Sequence, residues 1–351
     1  MATIGMVIPT WGKVCGVADY TKQLIQNTTN KQNKIKVYSE MNEDLPSIIK
    51  KDSIDIVHFQ YEYSVYDLNT LYRAMVELNR KQVPIITTLH SWCSDLAVYN
   101  RQISEMSSLV IVHSKAVERL CISHGYPREK LVVMPIGCRL FPLEEKEKTK
   151  MLFNITGYPC IGFFGFPFPH KGILNLINAI NELKIYFPDI KGYFFAHYPN
   201  SLDENHPYYS FQQELQRQFD KNSHLIWIKE FLPESLIVNL LHTMDVNVLP
   251  YEPHNYQGVS SAAKMLLAAK RPVLTTDNLF FSDLKDEVYK ISDSKVDTIA
   301  SSLCQMLLDS TLRERLISKA NLYLEKNSWT QIGNCYRELY QKFIEASDGM
   351  E

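Results

Sequence analysis

Two doubly wound α/β domains are the fold this sequence predicts, on three observations. Short apolar runs alternate with helical periodicities along the whole chain, the alternation is interrupted by a charged stretch before residue 151, and it then restarts. A length of 351 residues also exceeds one ordinary core, which favours two domains. Strands separated by helices pair in parallel and need both sheet faces covered, which is the doubly wound arrangement.

In order along the chain, Ile4–Ile8, Ile35–Tyr38, Ile54–Phe59, Ile85–Leu89, Leu109–His113 and Leu131–Pro135 are β-branched or aliphatic runs of strand length. Between most of them, Tyr20–Asn27, Leu68–Lys81, Asn100–Ser107 and Ala116–His124 carry helical spacing. The apolar-poor run Glu144–Lys150 follows and is expected to be an inter-domain linker. The second series has strands at Cys160–Phe164, Gly192–His197, Leu225–Ile228, Val246–Leu249 and Pro272–Thr275. Its helices lie near Gly172–Phe187, Phe211–Asp220, Pro233–His242 and Ser261–Lys270, and Val296–Asp309 and Leu312–Lys326 continue as helices. An amphipathic helix, Trp329–Ile344, closes the chain. The expected division is 1–145, 146–326 and a last helical segment, 327–351.

Composition narrows the function classes. The net charge of −2 argues against a dedicated nucleic-acid binder. Residues 1–150 hold 19 Lys and Arg against 16 Asp and Glu, an excess consistent with at most peripheral membrane contact. Seven scattered cysteines without a Cys-x-x-Cys pair fit reduced thiols and a cytoplasmic protein. Neither the ten histidines nor the carboxylates form a metal-ligand spacing, so no metal and no bound cofactor are expected. No stretch has the length of a membrane span and the N-terminus reads as a strand, not a signal peptide.

The densest chemical signal lies between Asp245 and Asp277. A buried strand runs into a polar loop, and Gln257-Gly258-Val259-Ser260-Ser261 opens an Ala/Leu-rich helix. Unpaired backbone N–H groups and the helix dipole converge at such a start and attract phosphate. Ser260 and Ser261 either add hydroxyl donors or merely cap the helix. The first strand ends in a loop flanked by Gly12 and Gly16, where a ligand could approach the backbone closely.

Taken in order, Pro9–Thr21, Asp55–Glu62, Thr87–His90, Gly165–Gly172 and the Ser260-Ser261 loop resemble glycosyltransferase family 4 over nearly the whole chain. The resemblance implies a GT-B fold, two Rossmann-like domains facing a central cleft. The second domain would bind the nucleotide diphosphate sugar, the first the acceptor, and the last helix would cross back to the first. By position, Lys171 matches the diphosphate lysine and His90 the histidine that contacts the donor sugar near the reacting carbon. Phe231 and Leu232 match the segment that holds the base, and Gly16, Gln257, Gly258, Val259, Ser260 and Ser261 complete the donor side. Trp11, Gly12, Tyr61, Glu62 and Trp92 are placed on the acceptor side, where the aromatics could stack on sugars or belong to the core. His58, inside a strand, is expected to be structural.

Two departures stand out. The family's arginine before the lysine is missing from Phe166–His170, and its paired glutamates fall on Gln257 and Met265. The implied activity is a retaining, metal-independent transfer of a hexose from a UDP- or GDP-sugar to a glycan, glycolipid or glycoprotein. The alternatives are a catalytically degenerate sugar-nucleotide-binding or scaffold protein and, behind it, another enzyme of the fold such as an epimerase.

Overall fold

A computed structural model of the protein describes residues 2–198 and 204–348. The chain divides into two compact units. The first comprises Met1–Gly137, Asn255–Val259 and Asn327–Glu351, and the second Cys138–His254 and Ser260–Lys326.

In the first unit the elements run β1 (Ala2–Val7), α1 (Gly16–Thr28), β2 (Asn33–Tyr38), α2 (Leu45–Lys51), β3 (Ile56–Tyr61), α3 (Leu68–Arg80), β4 (Ile85–Leu89), β5 (Ser91–Cys93), α4 (Ala97–Met106), β6 (Leu109–Val112), α5 (Lys115–Ser123) and β7 (Leu131–Val133). Six strands form one parallel sheet in the order β2-β1-β3-β4-β6-β7. Successive strand residues point to opposite faces. Val57, Ile85 and Val110 accordingly join a cluster with Leu71, Met75, Ile103 and Val117 of α3, α4 and α5. Their neighbours Ile56, Ile86 and Ile111 join Tyr20 and Leu24 of α1 on the other face.

The second unit continues with α6 (Lys146–Leu152), β8 (Cys160–Phe164), α7 (Ile173–Leu183), β9 (Lys191–Phe195), α8 (Tyr209–Lys221), β10 (Leu225–Ile228), α9 (Glu234–His242) and β11 (Val246–Leu249). After the short β12 (Tyr256–Gly258), which lies in the first unit, come α10 (Ser261–Ala268), β13 (Val273–Thr276), β14 (Tyr289–Ile291), α11 (Val296–Leu308) and α12 (Ser310–Lys326). The second parallel sheet has the order β10-β9-β8-β11-β13-β14.

The final helix, α13 (Trp329–Asp348), belongs to the first unit. Trp329, Ile332, Tyr336 and Tyr340 recur at three- and four-residue spacing and bury that stripe in the same cluster as Ile4, Met6 and Leu24. Tyr336 Oη lies 2.7 Å from Tyr20 Oη of α1, and Tyr340 Oη lies 2.7 Å from His58 Nδ1 of β3.

One expectation is corrected. Residues 144–150 are not a linker, since most of them lie in α6 of the second unit. The charged run folds because Lys146 reaches Asp245 at 3.1 Å while Thr149 is buried. The division between units falls earlier, at Gly137 and Cys138.

Ligands of open parallel sheets bind beyond the carboxyl ends of the strands, where the strand order reverses. In the first sheet that point lies between β1 and β3, and in the second between β8 and β11. The segments that follow these strands are 8–15 and 62–67 in the first unit, and 165–172 and 250–260 after β8 and β11.

Candidate active site

In the second unit the two switch-point segments meet at Lys171. Its Nζ lies over the ring of Tyr251 at 3.8 Å and 5.5 Å from that of Phe280, inside cation–π range. Gly172, at φ +67°, is required here because a side chain would strike the carbonyl oxygen of Pro250. Tyr251 Oη is 3.3 Å from Ser260 Oγ, so the lysine, the tyrosine and the start of α10 form one connected group. Ser260 is buried and caps α10, its Oγ accepting from Ala263 N at 3.3 Å, whereas Ser261 is exposed in the first turn. The serine pair thus divides its work: one orders the helix start and the other keeps its hydroxyl open.

Two histidines absent from the sequence expectations adjoin this lysine. His170 and His254 have ring centroids 4.5 Å apart, and His170 lies in stacked orientation with both Phe168 and Phe280. Burial, and then the Lys171 ammonium, bring His170 down to about 3 and push His254 in the same direction. An anion placed among them would reverse both effects. His254 follows β11 and His170 follows β8, a strand-end position that could have flagged them.

At the carboxyl end of β10, Phe231 is 64% exposed and stands edge-on to His197 at 5.5 Å, while Leu232 is half-buried. His197 Nδ1 lies 2.8 Å from Lys229 O, which orders this corner. Asp245 has a structural place, at the opposite end of β11, where it binds Lys146 and accepts from Cys160 N at 2.8 Å. Met265 is half-buried against the core of the second unit.

In the first unit the carboxyl ends of β3, β4 and β6 gather a buried polar cluster. His90 Nε2 is 3.0 Å from Gln60 Oε1, its Nδ1 is 3.3 Å from His113 Nε2, and His113 Nδ1 is 2.9 Å from Met134 O. The Tyr20 ring meets His90 edge-on at 4.7 Å. Burial, then the neighbouring imidazoles of His113 and His58, hold His90 well below its ordinary value, so it is neutral at neutral pH. His58 is structural as expected: wholly buried, bonded to Thr88 and Tyr340 at 2.7 Å, and lowered to about 3 by burial.

The strand after His90 holds a surprise for the polar loop of residues 251–259. β5 pairs antiparallel with β12, with Ser91 opposite Gly258, Trp92 opposite Gln257 and Cys93 opposite Tyr256. A Cβ on Gly258 would lie 2.8 Å from His90 O, so only glycine permits the pairing. Tyr256 stacks on Tyr63 at 4.7 Å, and Val259 packs against the first unit's cluster. Glu62 is bonded to the Ser91 hydroxyl, and burial raises its carboxyl above the ordinary range.

Two acceptor-side expectations are corrected by burial. Trp92 and Tyr61 are fully buried in the first unit's core and present no ring face to a sugar. Trp11, 37% exposed, and the open backbone at Gly12 and Gly16 remain accessible after β1.

Comparison with known proteins bears on the fold. Residues 16–140 match the model of Glycosyltransferase Family 4. HepE of Anabaena, solved in complex with UDP-glucose, superposes with a TM-score of 0.79 at 13% identity, covering 97% of this chain and 100% of that one. A glycosyltransferase from Rickettsia africae gives 0.73 at 17% identity, covering 97% and 98%, and sucrose-phosphate synthase of Thermosynechococcus elongatus gives 0.75 at 13%, covering 99% and 100%. No curated relative matches the sequence. With a family 4 match over residues 16–140 and two parallel α/β units that superpose on these enzymes along nearly their whole length, the chain has the GT-B fold, and its first unit resembles glycosyltransferase family 4.

Proposed function

We propose that the protein transfers a hexose from a UDP- or GDP-linked donor to a glycan, glycolipid or glycoprotein acceptor, with retention and without a metal. The observation that carries this reading is the placement of the Lys171 ammonium over Tyr251, beside the Ser260-capped start of α10. A departing diphosphate gains negative charge, and a fixed cation with helix N–H groups stabilises that charge without a divalent ion. In the proposed step the bond from the anomeric carbon to the phosphate oxygen breaks. The acceptor oxygen bonds the same face of that carbon, and its proton passes to the phosphate oxygen. No side chain then has to serve as general base, in keeping with Glu62 being engaged by Ser91. In this reading His90 serves the sugar, and Phe231 and Leu232 serve the base. The UDP and UDP-glucose complexes of HepE favour uridine as that base. Peripheral contact with a membrane surface is compatible with this reading, and among the described residues no helix is long and apolar enough to cross one.

The test is thermal unfolding with UDP, GDP, ADP, CMP and their sugar conjugates, with and without EDTA. A ligand at roughly 100 times its Kd adds about 2.7 kcal/mol to stability. The expected result is a rise in Tm with uridine nucleotides that EDTA leaves intact. A rise abolished by EDTA removes the metal-free mechanism, and no rise with any of them removes the transferase reading in favour of a degenerate scaffold.

A further inference from the structure

One carbonyl fixes the direction of every hydrogen bond around His90. His113 Nδ1 lies 2.9 Å from Met134 O, and a carbonyl oxygen only accepts, so that nitrogen carries the proton. A neutral His113 therefore has a bare Nε2. The group 3.3 Å from it, His90 Nδ1, has to be the donor. With its proton on Nδ1, His90 keeps a lone pair on Nε2. That lone pair faces the side-chain amide of Gln60 at 3.0 Å. Gln60 satisfies it by a half-turn of the amide, which exchanges two groups of nearly identical shape. The turn gives up the Gln60 N–H contact with Met6 Sδ, 3.0 Å away, and sets the amide oxygen against that sulfur, a smaller cost than a buried imidazolium because a thioether is a weak hydrogen-bond partner.

The competing arrangement leaves the Gln60 oxygen towards His90 Nε2. His90 must then donate from Nε2 and accept at Nδ1, so His113 has to donate from both nitrogens as an imidazolium. Its ring is almost fully buried, at 2% exposure, where a charge is costly.

We infer that His113 is a positioning residue for the transfer reaction: it holds His90 as the Nδ1–H tautomer, so that Nε2 recognises only a group that donates a hydrogen bond. A ligand that takes the place of the Gln60 amide at this nitrogen has to bring a hydroxyl or an N–H. A sugar hydroxyl qualifies, whereas a phosphate oxygen or the ring oxygen of a pyranose is refused. The chemical class recognised at Nε2 rests on the transferase reading; the tautomer does not. His113 stands just beyond β6 as His90 stands just beyond β4, so two neighbouring strand ends supply the holder and the held.

The experiment is nitrogen-15 NMR of the histidine-labelled, ligand-free protein near neutral pH. Ring couplings distinguish Nδ1–H, Nε2–H and imidazolium forms, and His90→Gln identifies the His90 signals. The expected spectrum shows His90 as Nδ1–H and His113 neutral. An Nε2–H His90 or a charged His113 overturns the inference whatever the activity proves to be. His113→Phe keeps a planar ring but removes the acceptor, and should switch His90 to Nε2–H. It should also lower kcat on the order of 10- to 100-fold, the usual scale for losing such a support, without changing UDP affinity. His113→Gln restores an acceptor oxygen and should return both the tautomer and most of the lost rate. If His113→Phe does not fold, the wild-type spectrum still decides, and an unchanged tautomer in a folded variant refutes the positioning role. Absence of UDP binding in every variant refutes the transferase reading and leaves the tautomer result standing.

Discussion

Each unit is built on its own six-stranded parallel sheet, and the two differ in what they place beyond it. At its switch point the second unit places one fixed charge, the Lys171 ammonium on Tyr251, with the imidazoles of His170 and His254 alongside. The first unit concentrates imidazoles that burial keeps uncharged, His58 and His90, with His113 between His90 and a backbone carbonyl. A cation attracts the charged part of a ligand at range, while a neutral imidazole discriminates by hydrogen-bond direction at contact. The same architecture thus supplies charge in one unit and selectivity in the other.

The contrast is broken most directly at Lys171. Lys171→Ala should lower kcat on the order of 100-fold, the scale of losing one electrostatic donor, and a steady-state rate within a few-fold of wild type would remove the lysine from the mechanism. The uncharged character of the first unit is tested by pH. His58 titrates at about 3 when folded and near its ordinary value of roughly 6.5 when unfolded, so the unfolded chain binds more protons in between. Its contribution is complete above pH ~6.5 and is lost as pH falls towards 3, by roughly 1.4 kcal/mol per pH unit. In urea unfolding, His58→Asn should flatten the acid side of the stability curve by that amount, and parallel curves for variant and wild type would refute the assignment. The smallest effect concerns the helix start in the second unit. Ser260→Ala should cost about 1 kcal/mol for the lost cap, read from the urea midpoint, and no change would mean that the Oγ bond to Ala263 contributes nothing.

The long strands and helices were legible because their periodicity is local. Ile85–Leu89, Cys160–Phe164 and Leu225–Ile228 fall on observed strands residue for residue. Three-residue strands have no period to read, and β5 and β12 find each other across more than a hundred and fifty residues of chain, so their pairing was invisible. The charged run at 144–150 misled because its helix is stabilised by Asp245, a residue far away in sequence. Lys171 and Ser260 could be found from a glycine and a helix start. His113 could have been found by the same strand-end reasoning as His90, had the strand been ended one residue earlier. The burial of Trp92 and Tyr61 could not be found, since an aromatic beside a polar loop reads alike whether it faces core or ligand.

The placement of α13 has a consequence for how the protein is made. Ile4, Met6, Ile86 and Ile111 emerge from the ribosome before the second unit, yet Trp329, Ile332, Tyr336 and Tyr340 that cover them follow only after it. β12, the partner of β5, also arrives only after most of the second unit has been synthesised. Of the two units, the one that begins folding first is therefore completed second, and its nascent form carries an uncovered apolar face that chaperones would meet while the second unit is synthesised.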